Sequence, residues 1–239
     1  VTDSAPAPDS AGGRSRETLW LALAIVAWSA AIGMGWWTLS SYEFSREPSP
    51  RAAANVVHWP ANSNLMRAAG RPTVLFFVHP RCPCTRASLA EMERAWVLDQ
   101  KGTEQSPQLI VVATVPENGS EDWTTTATIE RARTLPGAQI VMDRGGIEAE
   151  RFGVVTSGTV MWFDAAGHRL YAGGVTASRG HEGDNAGRDA LAQLLRGSQT
   201  PGRGLPAFGC RLCLPEPSGP TANRSLEGRI LEQANGGEP

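Results

Sequence analysis

Apolar and polar positions divide the chain into five stretches. Residues 1–17 are rich in Ala, Pro, Ser, Gly and Asp and read as a disordered tail. The next stretch, 18–39, contains LWLALAIVAWSAAIGMGWWTL, a run without a charge and close to the ~20 residues a helix needs to cross a bilayer. Trp20 near one end and Trp36 and Trp37 near the other fit interfacial anchors. A cleaved signal peptide with small residues Ser29 and Ala31 at its site is the competing reading, but the apolar run continues past that point and favours an uncleaved anchor. Residues 40–55 form a polar, proline-containing spacer, 56–197 carry the periodicity of a folded domain, and 198–239 are a Gly/Pro-rich tail.

Inside the domain, Thr73–Val78 is a continuous β-branched and aromatic run that predicts a buried strand. Ala87, Leu89, Met92 and Trp96 follow at near-helical spacing to about Leu98. Asn62 or Ser63 is expected to cap a short helix ending at Gly70. Leu109–Val115 predicts the second strand, Glu121–Leu135 a helix stopped by Pro136 and Gly137, and Gln139–Met142 a third strand. Gly145–Gly153 reads as one or two helical turns. Thr159–Phe163 and His168–Tyr171, joined by DAAG, read as a hairpin, and Asn185–Arg196 as an amphipathic helix. Alternating strands and helices closing on a hairpin predict an α/β domain with a mixed sheet flanked by helices.

Composition narrows the choice of partners. A net charge of −2 over 239 residues, with no dense basic cluster, gives no reason to expect nucleic-acid binding. Four cysteines in two close pairs, behind an apolar segment, suit a disulfide-tolerant compartment across the membrane. The expected location is therefore a cell membrane, single-pass, with the C-terminal domain on the extracytoplasmic, periplasmic side.

The chemistry gathers where the first strand passes into the helix. Cys82 and Cys84 sit there in HPRCPCTRAS, where free N–H groups and the helix dipole stabilise a thiolate. A disulfide between them would close a small ring around Pro83, and such strained bridges are labile, which points to an oxidant or isomerase-like centre. Arg81 and Arg86 are candidates for added positive charge. His79 completes H-x-x-C-x-C, a soft donor set suited to Cu(I). His181, in SRGHEGDNAG, is a further candidate near the cysteines, although Asp184 or Asn185 capping the next helix accounts for that loop equally well. Cys210 and Cys213 form a C-x-x-C in FGCRLCLP, without a strand before or a helix after. They are a candidate second redox pair, a local bridge, or, with Cys82 and Cys84, half of a four-thiolate zinc site. Apolar Leu205, Phe208, Leu212 and Leu214 would help such a tail dock.

The strand, the cysteine pair, the helix and the later LIVVATV, QIVMD and RFGVVTSGTVMWFD segments resemble the thioredoxin-like superfamily. HPRCPCTRAS and SRGHEGDNAG resemble membrane-anchored bacterial thioredoxin-fold proteins, RedB-like ones. The resemblance implies thiol–disulfide exchange on protein disulfides, with no cofactor, a protein thiol or disulfide as substrate or redox partner, and the membrane reached through the N-terminal helix. Two departures stand out. One residue rather than two separates the cysteines, and Ser157, Gly158 and Thr159 occupy the place where the superfamily carries a cis-proline facing them. These departures keep two alternatives open: a copper-delivery protein similar to the Sco type, with Cys82, Cys84 and His79 as ligands, and a non-catalytic binding module.

Overall fold

A computed structural model describes residues 11–43, 55–99, 106–198 and 204–213. They fall into two units, one within Val1–Arg46 and one within Glu47–Pro239. The first is a single helix, α1 (Ala11–Glu43), which begins within the stretch 1–17 expected to be a disordered tail and ends within the expected spacer 40–55; its Glu17–Tyr42 portion is long and apolar enough to cross a membrane. Its apolar side chains, among them Trp28, Trp36 and Trp37, are exposed. At 1.5 Å per residue these 26 residues reach about 39 Å, more than the ~30 Å hydrocarbon core.

The second unit is built on a five-stranded sheet of order β3-β2-β1-β4-β5. The strands are β1 (Thr73–Val78), β2 (Gln108–Val115), β3 (Ala138–Arg144), β4 (Thr159–Phe163) and β5 (Arg169–Gly174). β1, β2 and β3 run parallel; β4 runs antiparallel to β1, and β5 to β4. All six residues of β1 are buried, as expected of a central strand covered on both faces. Val74, Phe76 and Val78 face one core with Leu89, Met92 and Trp96 of α2 (Thr85–Asp99), Ile129 of α3 (Ala127–Arg133) and Leu191 and Leu194 of α5 (Ala186–Leu195). Leu75 and Phe77 face the other core with Ala149 of α4 (Ile147–Arg151), Phe152, Val154, Leu65 and Leu212. This mixed sheet flanked by helices is a thioredoxin-like fold.

Three expected elements differ from the structure. No helix forms between Asn62 and Gly70. Instead Ser63 Oγ donates to Glu148 Oε2 at 2.6 Å and the Asn64 N–H to Oε1 at 2.9 Å, so the buried Glu148 takes up the groups that would have capped one. The helix expected from Glu121 to Leu135 is split into a 3₁₀ turn, Glu121–Trp123, and α3. Thr126, not Ser120, supplies the cap by accepting the Ile129 N–H, while Trp123 turns aside to pack edge-on against His79. The last strand runs on from Tyr171 through Ala172, Gly173 and Gly174.

Those extra glycines have a reason. Residues 204–213, assigned by sequence to the tail, lie along β5 and the segment before β4. Leu205 pairs with Gly173 and Arg211 with Thr156. A Cβ on Gly173 would meet the Leu205 carbonyl oxygen at 2.6 Å, and one on Gly174 the Pro206 carbonyl oxygen at 2.7 Å, so only glycine admits a backbone this close. Phe208 and Leu212 are buried by the docking, Leu212 within the second core. Leu214 lies outside the described residues.

Candidate functional site

β1 ends at Val78 and the chain turns through His79–Cys84 into α2. The Cys82 N–H donates to His79 O at 3.0 Å and the Thr85 N–H to Cys82 O at 3.1 Å, so the cysteines form the turn that starts the helix. Cys82 and Cys84 are both buried. All four cysteines are thiols.

What distinguishes Cys82 is its set of donors. The Cys210 N–H points at its sulfur at 3.3 Å. Burial is the largest single influence on Cys82 and opposes ionisation, but hydrogen bonds from the Cys210 thiol and the Thr85 hydroxyl, then from the N–H groups of Cys210 and Thr85, together outweigh it and hold the thiol below its ordinary range. Cys84 goes the other way: burial and the neighbouring Cys82 charge raise it, and Arg179 offsets them only in part. Cys210 is pushed up to about 12, by burial first and then by its hydrogen bond to Cys82 and the charges of Cys82 and Cys84. Burial also raises Cys213.

The loop that replaces the cis-proline is wired into this set. No peptide bond among the described residues is cis. Ser157 Oγ accepts the His79 N–H at 2.8 Å and lies 2.7 Å from Thr85 Oγ1. Thr85 has one hydroxyl proton; when it is given to the Cys82 thiolate, Ser157 must be the donor to Thr85. In that arrangement a directed chain runs from the His79 N–H through Ser157 and Thr85 to Cys82, in place of the 3.5 Å contact of the Thr85 hydroxyl with His79 O. Gly158, at φ +89°, sends its N–H to Phe77 O at 2.8 Å, and Thr159 Oγ1 donates to Thr156 O at 2.7 Å. Gly158 also makes room for α2, since a Cβ there would stand 2.7 Å from Ser88 Oγ.

The remaining sequence candidates are placed elsewhere. Pro83 is exposed on the turn. Arg81 is exposed, pairs with Asp122 at 2.8 Å and lies over Trp123 with its guanidinium carbon 4.0 Å from the ring centroid. The expectation that Arg81 supplies charge to the thiols is corrected: the guanidinium that does so is that of Arg179, which hydrogen-bonds Cys84 and donates to Gly209 O at 2.6 Å. Arg86 is exposed as well. His181 is exposed on the loop before α5, and Asn185, not Asp184, caps that helix by accepting the Arg188 N–H. Burial holds His79 below the ordinary imidazole range, and its Nδ1 accepts the Arg81 N–H at 3.2 Å. Among the described residues no three His, Cys, Asp or Glu side chains are gathered as a metal ion requires.

Thr85 and Arg179 are the residues that sequence reasoning missed. Thr85 directly follows Cys84, and Arg179 lies in the SRGHEGDNAG segment whose histidine drew attention instead. That loop is held by Glu91, fully buried in α2, which takes the Gly183 N–H at 2.8 Å, Arg188 Nη1 at 3.0 Å and the Arg94 guanidinium.

Strand order, helix placement and a cysteine pair at the start of α2 define the class: a thioredoxin-like fold. No protein-family model and no curated protein matches the chain. Among solved structures it is similar to an uncharacterized conserved protein from Geobacillus kaustophilus, at 19% identity over 62% of this chain and 79% of that one, TM-score 0.46. It is also similar to a secreted Mycobacterium tuberculosis disulfide oxidoreductase homologous to E. coli DsbE, at 14% identity over 54% and 84%, TM-score 0.37. A third is copper-bound ScoI from Bradyrhizobium japonicum, at 18% identity over 54% and 85%, TM-score 0.36.

Proposed function

We propose that this chain is a membrane-anchored thiol–disulfide oxidoreductase whose domain faces the extracytoplasmic side and acts on protein disulfides through Cys82 and Cys84. The observation that carries this reading is the asymmetry of the pair: the Cys210 N–H points at the Cys82 sulfur at 3.3 Å and hydrogen bonding there favours the Cys82 thiolate, while Cys84 beside it is raised by burial and by that charge. An exchange enzyme needs one sulfur ready to attack and a second that waits.

The Cys82 thiolate attacks one sulfur of a substrate disulfide, the S–S bond breaks, and the other substrate sulfur leaves as a thiolate and takes a proton. With the charge on Cys82 consumed in the mixed disulfide, one cause of the raised Cys84 disappears and Arg179 favours its ionisation. Cys84 then attacks the Cys82 sulfur and expels the second substrate thiol. Two electrons and two protons have moved to the substrate, and Cys82–Cys84 is a disulfide. Run in reverse, the same steps oxidise a protein dithiol, and the donors around Cys82 make it a good leaving group. A partner protein of dithiol or disulfide chemistry resets the pair.

The test uses the full chain in detergent. The wild type should catalyse exchange on a protein disulfide such as insulin and form Cys82–Cys84 in a glutathione buffer. Cys82→Ser should lose turnover, and Cys84→Ser should accumulate a covalent adduct with substrate. Turnover surviving Cys82→Ser would refute the reading.

A further inference from the structure

The extended segment 204–213 meets the site in a way that simple packing does not require. Its backbone pairs antiparallel with the loop before β4: the Ser157 N–H donates to Cys210 O at 2.9 Å and the Leu212 N–H to Val155 O at 2.8 Å. These isolated bridges have the form of strand addition, the mode by which an extended peptide is recognised through its main chain while single side chains enter pockets. Register puts one side chain, Cys210, against Cys82. Gly209 allows the approach, because a Cβ there would run into the Ser157 carbonyl, and Arg179 clamps the Gly209 carbonyl while touching Cys84. Three residues on, Cys213 stands half-exposed.

We propose that residues 204–213 are a built-in substrate strand, and that Cys210 is a third redox residue that forms a disulfide with Cys82 and, with Cys213, exchanges electrons with the Cys82/Cys84 pair. The proposal rests on the exchange function above. When the tail pair is oxidised, the Cys82 thiolate attacks the Cys210 sulfur, the Cys210–Cys213 bond breaks, and Cys213 leaves as a thiolate and is protonated. Cys84, giving up its proton, attacks the Cys82 sulfur, the Cys82–Cys210 bond breaks, and Cys210 leaves and is protonated. Two electrons and two protons pass from the domain pair to the tail, and the reverse sequence returns them. The strand also hides Cys82, which is 2% exposed, so an external protein must displace the strand or deal with Cys213 instead.

Trapping tests this in the full chain. In the double variant Cys84→Ser with Cys213→Ser, oxidised by glutathione disulfide at ~0.1 mM, Cys82 has two fates. A docked strand presents Cys210 at an effective concentration in the millimolar range or above, so the Cys82–Cys210 cross-link should exceed the Cys82–glutathione adduct by ~tenfold in non-reducing peptide maps. Adding Phe208→Asp, which lifts the strand, should reverse that ratio. The reciprocal variant, Cys82→Ser with Cys210→Ser, should give little Cys84–Cys213 cross-link. A dominant glutathione adduct in a variant whose melting curve matches wild type, or equal cross-linking in the reciprocal variant, overturns the relay. Formation of Cys82–Cys84 in the wild type is followed in parallel. Its presence without the cross-link removes the relay alone, and its absence removes the exchange function beneath it.

Discussion

Cys82 and Cys210 face each other across hydrogen bonds from the Cys210 N–H and thiol, yet their surroundings drive them apart. Both are taken from water, which raises a thiol. Cys82 lies at the end of a central strand and the start of a helix, beside the Thr85 hydroxyl, and Cys210 points its N–H at the sulfur and adds its own thiol as a donor. Cys210 sits on an added strand with no helix behind it; its thiol is the donor in that hydrogen bond and feels the negative charge of its neighbours, which takes it to about 12. Burial is common to the two, so the difference comes from which sulfur receives donors. A C-x-x-C spacing alone therefore says little about reactivity, and an irregular C-x-C at a strand-to-helix junction says more.

Undocking the strand would break this contrast most severely. Leu212 is 4% exposed within the second core, and Leu212→Ala is expected to cost about 2–5 kcal/mol through lost burial and the cavity left behind. The checks are a shift in the denaturation midpoint and faster alkylation of Cys82 as its cover opens. A loss under about 1 kcal/mol would mean that the strand is held by something other than its core contact.

How much of this was legible in the sequence depends on whether the relevant partner is local. Thr73–Val78 and Leu109–Val115 declare themselves as buried strands because an apolar β-branched run has few other fates, and the Cys82/Cys84 junction follows from the order strand, turn, helix. The segment 121–135 defeats the reading because Trp123 is drawn out of a helical register by His79 and Arg81, forty residues away. The docked strand is less visible still. Its pairing with β5 spans thirty residues, and the only signals are glycines: Gly173 and Gly174 where a strand would prefer side chains, and Gly209 beside a cysteine. Apolar Phe208 and Leu212 suggest that the tail docks, but nothing in their spacing selects Cys210, rather than Cys213, to face Cys82.

The donor set itself is the next point to strain. Thr85→Val keeps the shape of the side chain and removes the hydroxyl that ends the His79–Ser157–Thr85 chain at Cys82. A hydrogen bond to a charged group is worth about 1.5–3 kcal/mol, so losing this donor should move the Cys82 alkylation profile to higher pH. Cys210, whose hydrogen-bonding partner becomes more often neutral, should move down. A profile for Cys82 unchanged by Thr85→Val would place the thiolate's support wholly in the backbone N–H groups.

The finest distinction is between two arginines. Arg81 adjoins Cys82 in sequence, and proximity along the chain makes it the obvious source of positive charge. In space it turns away to Asp122 and the Trp123 ring, at the surface where salt screens it. Arg179 is remote in sequence but hydrogen-bonds Cys84, so its charge acts at short range in a half-buried setting. Arg179→Gln should therefore move Cys84 ionisation to higher pH, while Arg81→Gln leaves both cysteines within experimental error. Site-resolved alkylation against pH, read by mass spectrometry in both variants, provides the comparison. Equal shifts from the two substitutions would mean that the long-range field of the surface, rather than the one contacting guanidinium, sets how readily Cys84 gives up its proton.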